Sequence, residues 1–341
     1  MKLSRLLIVG AVVAGALALA IWRGPSLDLL QEVFTAVRWE WIAAAILLNL
    51  VSIIVRVLAW RTVIGQAMFP PRPRFRSIFS AFSIGLLGNA TLPGRIGELA
   101  RVAVLANRLP RRRGLWATLA GTVFAHRVFD LIVVLGLVLY VVSSAEVPRW
   151  AQTSLTAFIA LSVILIVISL AVARSNLRTP LDGLGRVRRL ITMARQGLAV
   201  MHAPLAAAVA LFFQALGWLA QFFAVYAAMR GFRIDEPLIA AGVVLLVMNV
   251  ATAFPLWPGN VGLMQAAVAL ALVPYGVAYA HGFGFALGLQ AIEASVGVGL
   301  GLLFLAREGL SFAMLKRMPA EEPDEPVPEV VERRQRAGVS G

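Results

Sequence analysis

GNATLPGRIGELAR, residues 88–101, lies between apolar runs and carries a Pro-Gly break, two arginines and a glutamate. An unbroken membrane helix does not accommodate such a stretch. Proline lacks the donor for the helical ladder and clashes with the preceding turn. An ionised side chain at mid-membrane costs about 2.5–3.5 kcal/mol on insertion scales. Irregular backbone at that depth survives only where protein buries it or where it lines a water-filled cavity. The stretch therefore points to a broken hairpin beside a cavity.

The surrounding chain is that of a membrane protein. Of its 341 residues 60% are hydrophobic and 14% charged, and its mean hydropathy is +0.84. Apolar runs of about 20 residues, the length that crosses a bilayer as a helix, fall near 6–22, 40–59, 115–142, 152–173, 204–229 and 283–306. Lys2 and Arg5 before the first run, and ALALA at 16–20, resemble a signal peptide; the spans that follow favour a retained first helix. PSLDLLQEVFTAVR (25–38) has helical apolar spacing and reads as an interfacial amphipathic helix or an ordinary loop helix. PAEEPDEPVPEVVERRQRAGVSG (319–341) is acidic and Pro-rich, then basic, and is expected to be disordered. The division is thus a helical membrane domain over 1–317 and a tail over 318–341.

A second broken segment echoes the first. SIFSAFSIGLLGNAT (77–91) breaks at LPG and resumes as RIGELARVAVLANRL (95–109); PLIAAGVVLLVMNVATAF (237–254) breaks at PLWPG and resumes as NVGLMQAAVALALV (260–273). Both share Asn, Ala-Thr and a Pro-Gly followed by a second glycine: Pro93, Gly94 and Gly97 in one, Pro258, Gly259 and Gly262 in the other. Corresponding Gly/Pro-interrupted segments in two halves point to a transporter binding site. The expected fold is all-α and polytopic, with about six full spans and two broken or re-entrant hairpins in an inverted-repeat arrangement.

The formal net charge is +14, and Lys2 and Lys316 are the only lysines. The arginines gather in short segments between apolar runs, the positive-inside pattern, and no sizeable soluble module remains to bind nucleic acid. With Lys2 and Arg5 inside, the loop 61–76 and the tract RLPRRRG (108–114) both fall inside if the first broken segment returns to its starting side. The second then opens from the outside, and both termini are cytoplasmic. Charge alone leaves open an arrangement in which each arm crosses fully.

Several polar residues could carry chemistry. The helix after Pro93-Gly94 would point free N–H groups into the cavity, an anion-binding geometry, with Arg95 beside it. Glu98 and Arg101 lie three apart and can pair, as a site or as a structural clamp. In AHRVFD (125–130), Asp130 can hold both His126 (i,i+4) and Arg127 (i,i+3), again as an ion pair or as a substrate contact. Arg56 is expected to snorkel to the inner interface. Glu293 has no local partner, so it either pairs with a distant arginine or is a protonated structural carboxyl. Asn260 and Gln265 offer neutral contacts at the second break, and His202 and His281 read as surface residues. With no cysteine and three histidines, neither a metal site nor another cofactor is expected.

LPGRIGELAR (92–101), HRVFD (126–130) and PLWPGNVGLMQ (255–265) together resemble the flippase-like membrane domain family, which includes the membrane domain of lysylphosphatidylglycerol synthases. The resemblance covers about residues 5–310. Pro93, Gly94, Gly97, Glu98 and Arg101 match its first motif, and Arg127 and Asp130 its second. Where the family commonly has Glu at the end of the later motif and Arg in the last span, this chain has Gln265 and then Gln290 and Glu293, which implies that one ion pair is replaced by neutral groups. The soluble lysyl-transferase domain is absent, so lysine transfer is not expected. The resemblance implies a non-enzymatic lipid translocator of the bacterial inner membrane, handling an anionic phospholipid, glycolipid or related envelope lipid. Arg95, Glu98, Arg101, Arg127, Asp130, Asn260 and Glu293 are its candidate binding residues. The rival expectation is a membrane scaffold or regulator of a lipid- or glycan-synthesising enzyme.

Overall fold

The computed structural model describes residues 27–68, 72–91, 96–110, 115–144, parts of 156–167, 200, 202–253 and 260–309. The helices are α1 (Leu27–Thr35), α2 (Trp39–Ala67), α3 (Phe75–Thr91), α4 (Gly97–Ala106), α5 (Leu115–Ser144), α6 (Pro204–Gly231), α7 (Leu238–Ala253), α8 (Leu263–Leu272) and α9 (Tyr279–Arg307). Among the described residues α2, α5, α6 and α9 are long and apolar enough to cross a membrane, matching four of the six expected spans. The run at 6–22, most of 152–173 and the tail lie outside the described residues. Arg61, expected in a loop, is instead in the last turns of α2. The amphipathic 25–38 stretch forms α1, which packs on α9 and sets Phe34 edge-on to Phe232.

Small residues let the helices approach. α2 packs most extensively on α6, in antiparallel sense: Gly231 faces Ile42, and Gly217 faces Arg56 and Ser52. Ser52 Oγ donates to the Gly217 carbonyl at 2.7 Å. A Cβ at Gly217 would lie 2.7 Å from Arg56 Cγ, so only glycine leaves room for that arginine. The arms α3 and α4 also run antiparallel, with Gly85 against Arg101 and Gly88 against Gly97. A Cβ at Gly97 would sit 2.6 Å from both the Asn89 nitrogen and its Oδ1. The Gly97 of the first motif is therefore a close-packing glycine.

Each broken segment is a hairpin of packed arms, α3 with α4 and α7 with α8. The second arms have ten residues each, and at 1.5 Å per residue they reach about 15 Å, half the hydrocarbon thickness. Both hairpins lean on α9, from opposite ends. Ser80 of α3 meets Glu308 just after α9, and Ser83 and Leu87 meet Gly301. At the other end Ala269 of α8 meets Gly282, and Gln265 meets Gln290. The described arms thus approach the middle of α9 from its two ends, as an inverted arrangement requires.

Two apolar cores lie on either side of this middle. One gathers Val225, Met229, Leu245 and Phe285 around the second hairpin. The other gathers Trp60, Ile78, Leu87, Leu105 and Leu119 around the first. α2 and α9 contribute to both, with Ile42 and Phe285 in one and Trp60 and Leu305 in the other.

Candidate functional site

The first hairpin and the spans behind it hold a row of alternating charges. Arg101 Nη2 lies 2.5 Å from Glu98 Oε2 one turn back on α4. Glu98 Oε1 accepts from Arg127 Nη2 of α5 and from Asn89 Nδ2 of α3 at 3.3 Å. Arg127 Nη1 donates to Asp130 Oδ2 at 2.9 Å. Asp130 Oδ1 lies 4.0 Å from Arg56 Nη1 of α2. The order is Arg101, Glu98, Arg127, Asp130, Arg56, with a guanidinium at each end. Two of these links are the i,i+3 pairs legible in the sequence; the Glu98–Arg127 and Asp130–Arg56 links cross between helices.

Both terminal guanidiniums stack on aromatic rings, where the quadrupole replaces part of their lost hydration. Arg101, 3% exposed, lies over Trp60 at 4.8 Å and Phe82 at 5.4 Å. Arg56 lies over Trp218 at 4.5 Å. The Nε atoms of both are buried without a hydrogen-bond partner among the described residues. Asp130 is more fully engaged: its Oδ1 also accepts from Trp218 Nε1 at 2.9 Å and from Gln214 Nε2. It is the hub that ties α5 to α6.

These residues line a cavity of about 60 Å³, completed by Phe82, Gly85, Leu86, Asn89, Gly97 and His126. By that measure it has room for on the order of four waters. Three guanidiniums (Arg56, Arg101, Arg127) face two carboxylates (Glu98, Asp130) in its wall. With His126 neutral, the lining carries one more positive than negative charge. α4 opens into it, since its first residues, Gly97 and Glu98, are part of the wall.

The structure corrects three expectations. Arg56 does not snorkel; Gly217 gives it space to turn inward onto Trp218 and Asp130. His126 does not share Asp130 with Arg127; its Nε2–H donates to the Arg56 carbonyl at 3.3 Å, and its ring meets Phe82 edge-on. His281, read as a surface residue, is half-buried and donates from Nε2 to the Phe232 carbonyl at 2.7 Å, whereas His202 is exposed.

Glu98, Arg101, Arg127 and Asp130 are brought together. Pro93, Gly94, Arg95, Pro258 and Gly259 lie outside the described residues. Asn260 is in the second hairpin, apart from the cavity, with φ +46° and its Nδ2 on the Ala251 carbonyl at 2.7 Å. Gly262 adopts φ +92° at the start of α8, a left-handed conformation natural to glycine, and its N–H donates to Gln265 Oε1 at 2.6 Å. Gln265 in turn donates to Gln290 Oε1, so two neutral amides bond at the positions where an ion pair was expected to be lost. Glu293 accepts from Gln221 Nε2 at 2.7 Å and pairs with no arginine among the described residues.

Asn89, Trp60, Phe82, Gln214 and Trp218 were not singled out from the sequence. Gln214, Trp218 and Gln221 stand at i, i+4 and i+7 in an otherwise apolar span, a helical polar stripe that marks one buried face.

The model of the lysylphosphatidylglycerol synthase TM region matches residues 6–301. No curated protein and no solved structure matches the chain. The matched region spans every described helix except the last six residues of α9 and includes both hairpins and all five members of the charge row. The chain therefore belongs to the lysylphosphatidylglycerol synthase transmembrane-region family, and is an integral membrane protein of a family related to lipid handling.

Proposed function

We propose that the protein is a translocator that binds the anionic headgroup of a membrane lipid in the cavity and carries it across the bilayer, without making or breaking a covalent bond. The observation that supports this most is the charge row itself, in which three guanidiniums face two carboxylates. A surplus positive charge away from bulk water calls for an anion, and the cavity's size suits a single phosphate group rather than a whole lipid. The Nε atoms of Arg56 and Arg101, without a partner among the described residues, supply donors that such a group would satisfy. Asp130 is a positioning residue, since its acceptors are already occupied.

The hairpin arms that pack on α9 from its opposite ends offer a means of alternating access: one hairpin moves against the rest while the other stays packed. The arginine-rich segments suit a bacterial inner membrane with both termini cytoplasmic.

The test is transbilayer movement of a fluorescent phosphatidylglycerol in vesicles containing the purified protein. Arg101→Ala should abolish movement while the protein still elutes as a folded species. Movement at the wild-type rate in that variant would remove Arg101 from the mechanism and sink this reading.

A further inference from the structure

Glu293 is the middle residue of α9, fourteen positions from each end. It differs from the two carboxylates of the charge row. Glu98 and Asp130 each touch an arginine; among the described residues Glu293 bonds the amide of Gln221, at 2.7 Å, and no arginine. A carboxylate at this depth needs a cation or water beside it, whereas an amide suffices for the neutral acid.

A cation lies one helical turn from Gln221, on the same face of α6. Gln214, Trp218 and Gln221 form one stripe on α6: Gln214 and Trp218 donate to Asp130, and Gln221 donates to Glu293. The two carboxylates are therefore bound to one helix face, their amide partners about 10 Å apart along the axis. Arg56 lies over Trp218, the middle member of that stripe. It is 4.0 Å from Asp130, and its Nε has no partner among the described residues. Among the described residues, α3 meets α9 through the uncharged Ser83, Leu86 and Leu87, and Arg56 of α2 is the cation on the stripe that holds Gln221. α6 contributes the neutral Gln221, and α8 sends Gln265 to Gln290, one turn before Glu293.

We propose that Glu293 is a proton-binding site that shares Arg56 with the cavity, so that a proton and an anionic headgroup bind together. With Glu293 protonated, Arg56 belongs to the cavity wall, three guanidiniums face two carboxylates, and the wall holds an anion. When Glu293 releases its proton to water, its carboxylate draws Arg56 away. The wall then has two guanidiniums and two carboxylates, and the anion leaves. Linkage makes the effect reciprocal: a bound anion holds Arg56 in the cavity and raises the affinity of Glu293 for its proton. The protein thereby acquires a way to draw on a proton gradient. The inference rests on the anionic reading of the cavity.

The experiment measures binding of dihexanoyl phosphatidylglycerol to the purified full chain across pH, for the wild type, Glu293→Gln and Glu293→Asp. Affinity of the wild type should fall by up to about tenfold per pH unit above the titration of Glu293, the limit for one coupled proton. Glu293→Gln should bind with no such slope, and Glu293→Asp, which keeps a titrating group, should retain one. An equal slope in wild type and Glu293→Gln overturns the proton site and leaves the anionic cavity standing. If the wild type fails to bind this lipid, the anionic reading falls, and infrared spectroscopy decides the proton site alone. A carboxyl band that titrates in the wild type and is missing from Glu293→Gln sustains it, and absence of such a band overturns it.

Discussion

Arg127 donates to Asp130 one turn along α5, at 2.9 Å, and the same guanidinium reaches across to Glu98 of the first hairpin. A single side chain thus joins the hairpin to the span behind it. A buried donor left without its acceptor costs about 1–3 kcal/mol. Asp130→Ala should lower stability by that order, because it frees Arg127 and also orphans the donors of Trp218 and Gln214. Asp130→Asn keeps an acceptor oxygen and should lose less. Thermal unfolding of the purified variants in detergent gives the ranking, and equal losses would contradict the hub role.

Gly97→Ala should be destabilising by about 1–3 kcal/mol, the cost of overpacking, because its Cβ meets the backbone nitrogen of Asn89 at 2.6 Å. Backbone cannot step aside as a flexible side chain can, so the arms would have to separate. Gly65→Ala in α2 is the control. Nothing lies within 4 Å of its Cβ, and alanine improves helix propensity by up to about 1 kcal/mol. The two variants should therefore shift the unfolding temperature in opposite directions.

Glu308 clamps the first hairpin to the end of α9. It accepts from Ser80 Oγ at 2.6 Å and from Arg108 Nε at 2.9 Å, and forms a second link with an Nη of Arg108. Glu308→Gln should cost on the order of 1 kcal/mol, as for a partly exposed pair. The difference from wild type should shrink in high salt, which screens this pair and leaves the buried row less affected. A deficit independent of salt would show that the Ser80 hydrogen bond, rather than the ion pair, does the clamping.

The Gln265–Gln290 contact should accept an ion pair in its place. Gln265→Glu alone buries a carboxylate and should destabilise the chain. Adding Gln290→Arg should recover stability, with a coupling of about 0.5–3 kcal/mol in a double-mutant cycle. Additive losses would mean that the two positions do not face each other.

The inverted hairpins make a labelling prediction. The chain has no cysteine, so single cysteines can be placed at the exposed positions Arg74 and Asn107, which flank the first hairpin, and Arg233 and Ala278, which flank the second. In intact cells an impermeant maleimide should treat each flanking pair alike and the two pairs oppositely. Different labelling of Arg74→Cys and Asn107→Cys would mean that the first segment makes a net crossing.

Much of the bundle was legible in the sequence. Four long apolar runs became α2, α5, α6 and α9, with α2 running eight residues past its expected end and the other boundaries shifted by at most four. Both Pro-Gly interruptions fall between packed arms. The i,i+3 pairs Glu98–Arg101 and Arg127–Asp130 formed as spaced. These features are local: an apolar run long enough to cross, a residue that cannot continue a helix, and a fixed rise that sets side chains three apart on one face.

The cavity was decided by tertiary structure. Arg56 could have pointed to the interface or inward, and the space over Gly217 on a helix about 160 residues away along the sequence settled it. His126 had Asp130 within helical reach and bonded to the Arg56 carbonyl instead. Glu98 with Arg127, Gln214 and Trp218 with Asp130, and Gln221 with Glu293 all join different helices. Helices that are apolar on nearly every face carry little periodic signal to fix their rotation. That rotation follows from where glycines let neighbouring backbones approach, so the sequence by itself determined the helices, their breaks and the pairs within each, and the packing between helices determined which charges share one cavity.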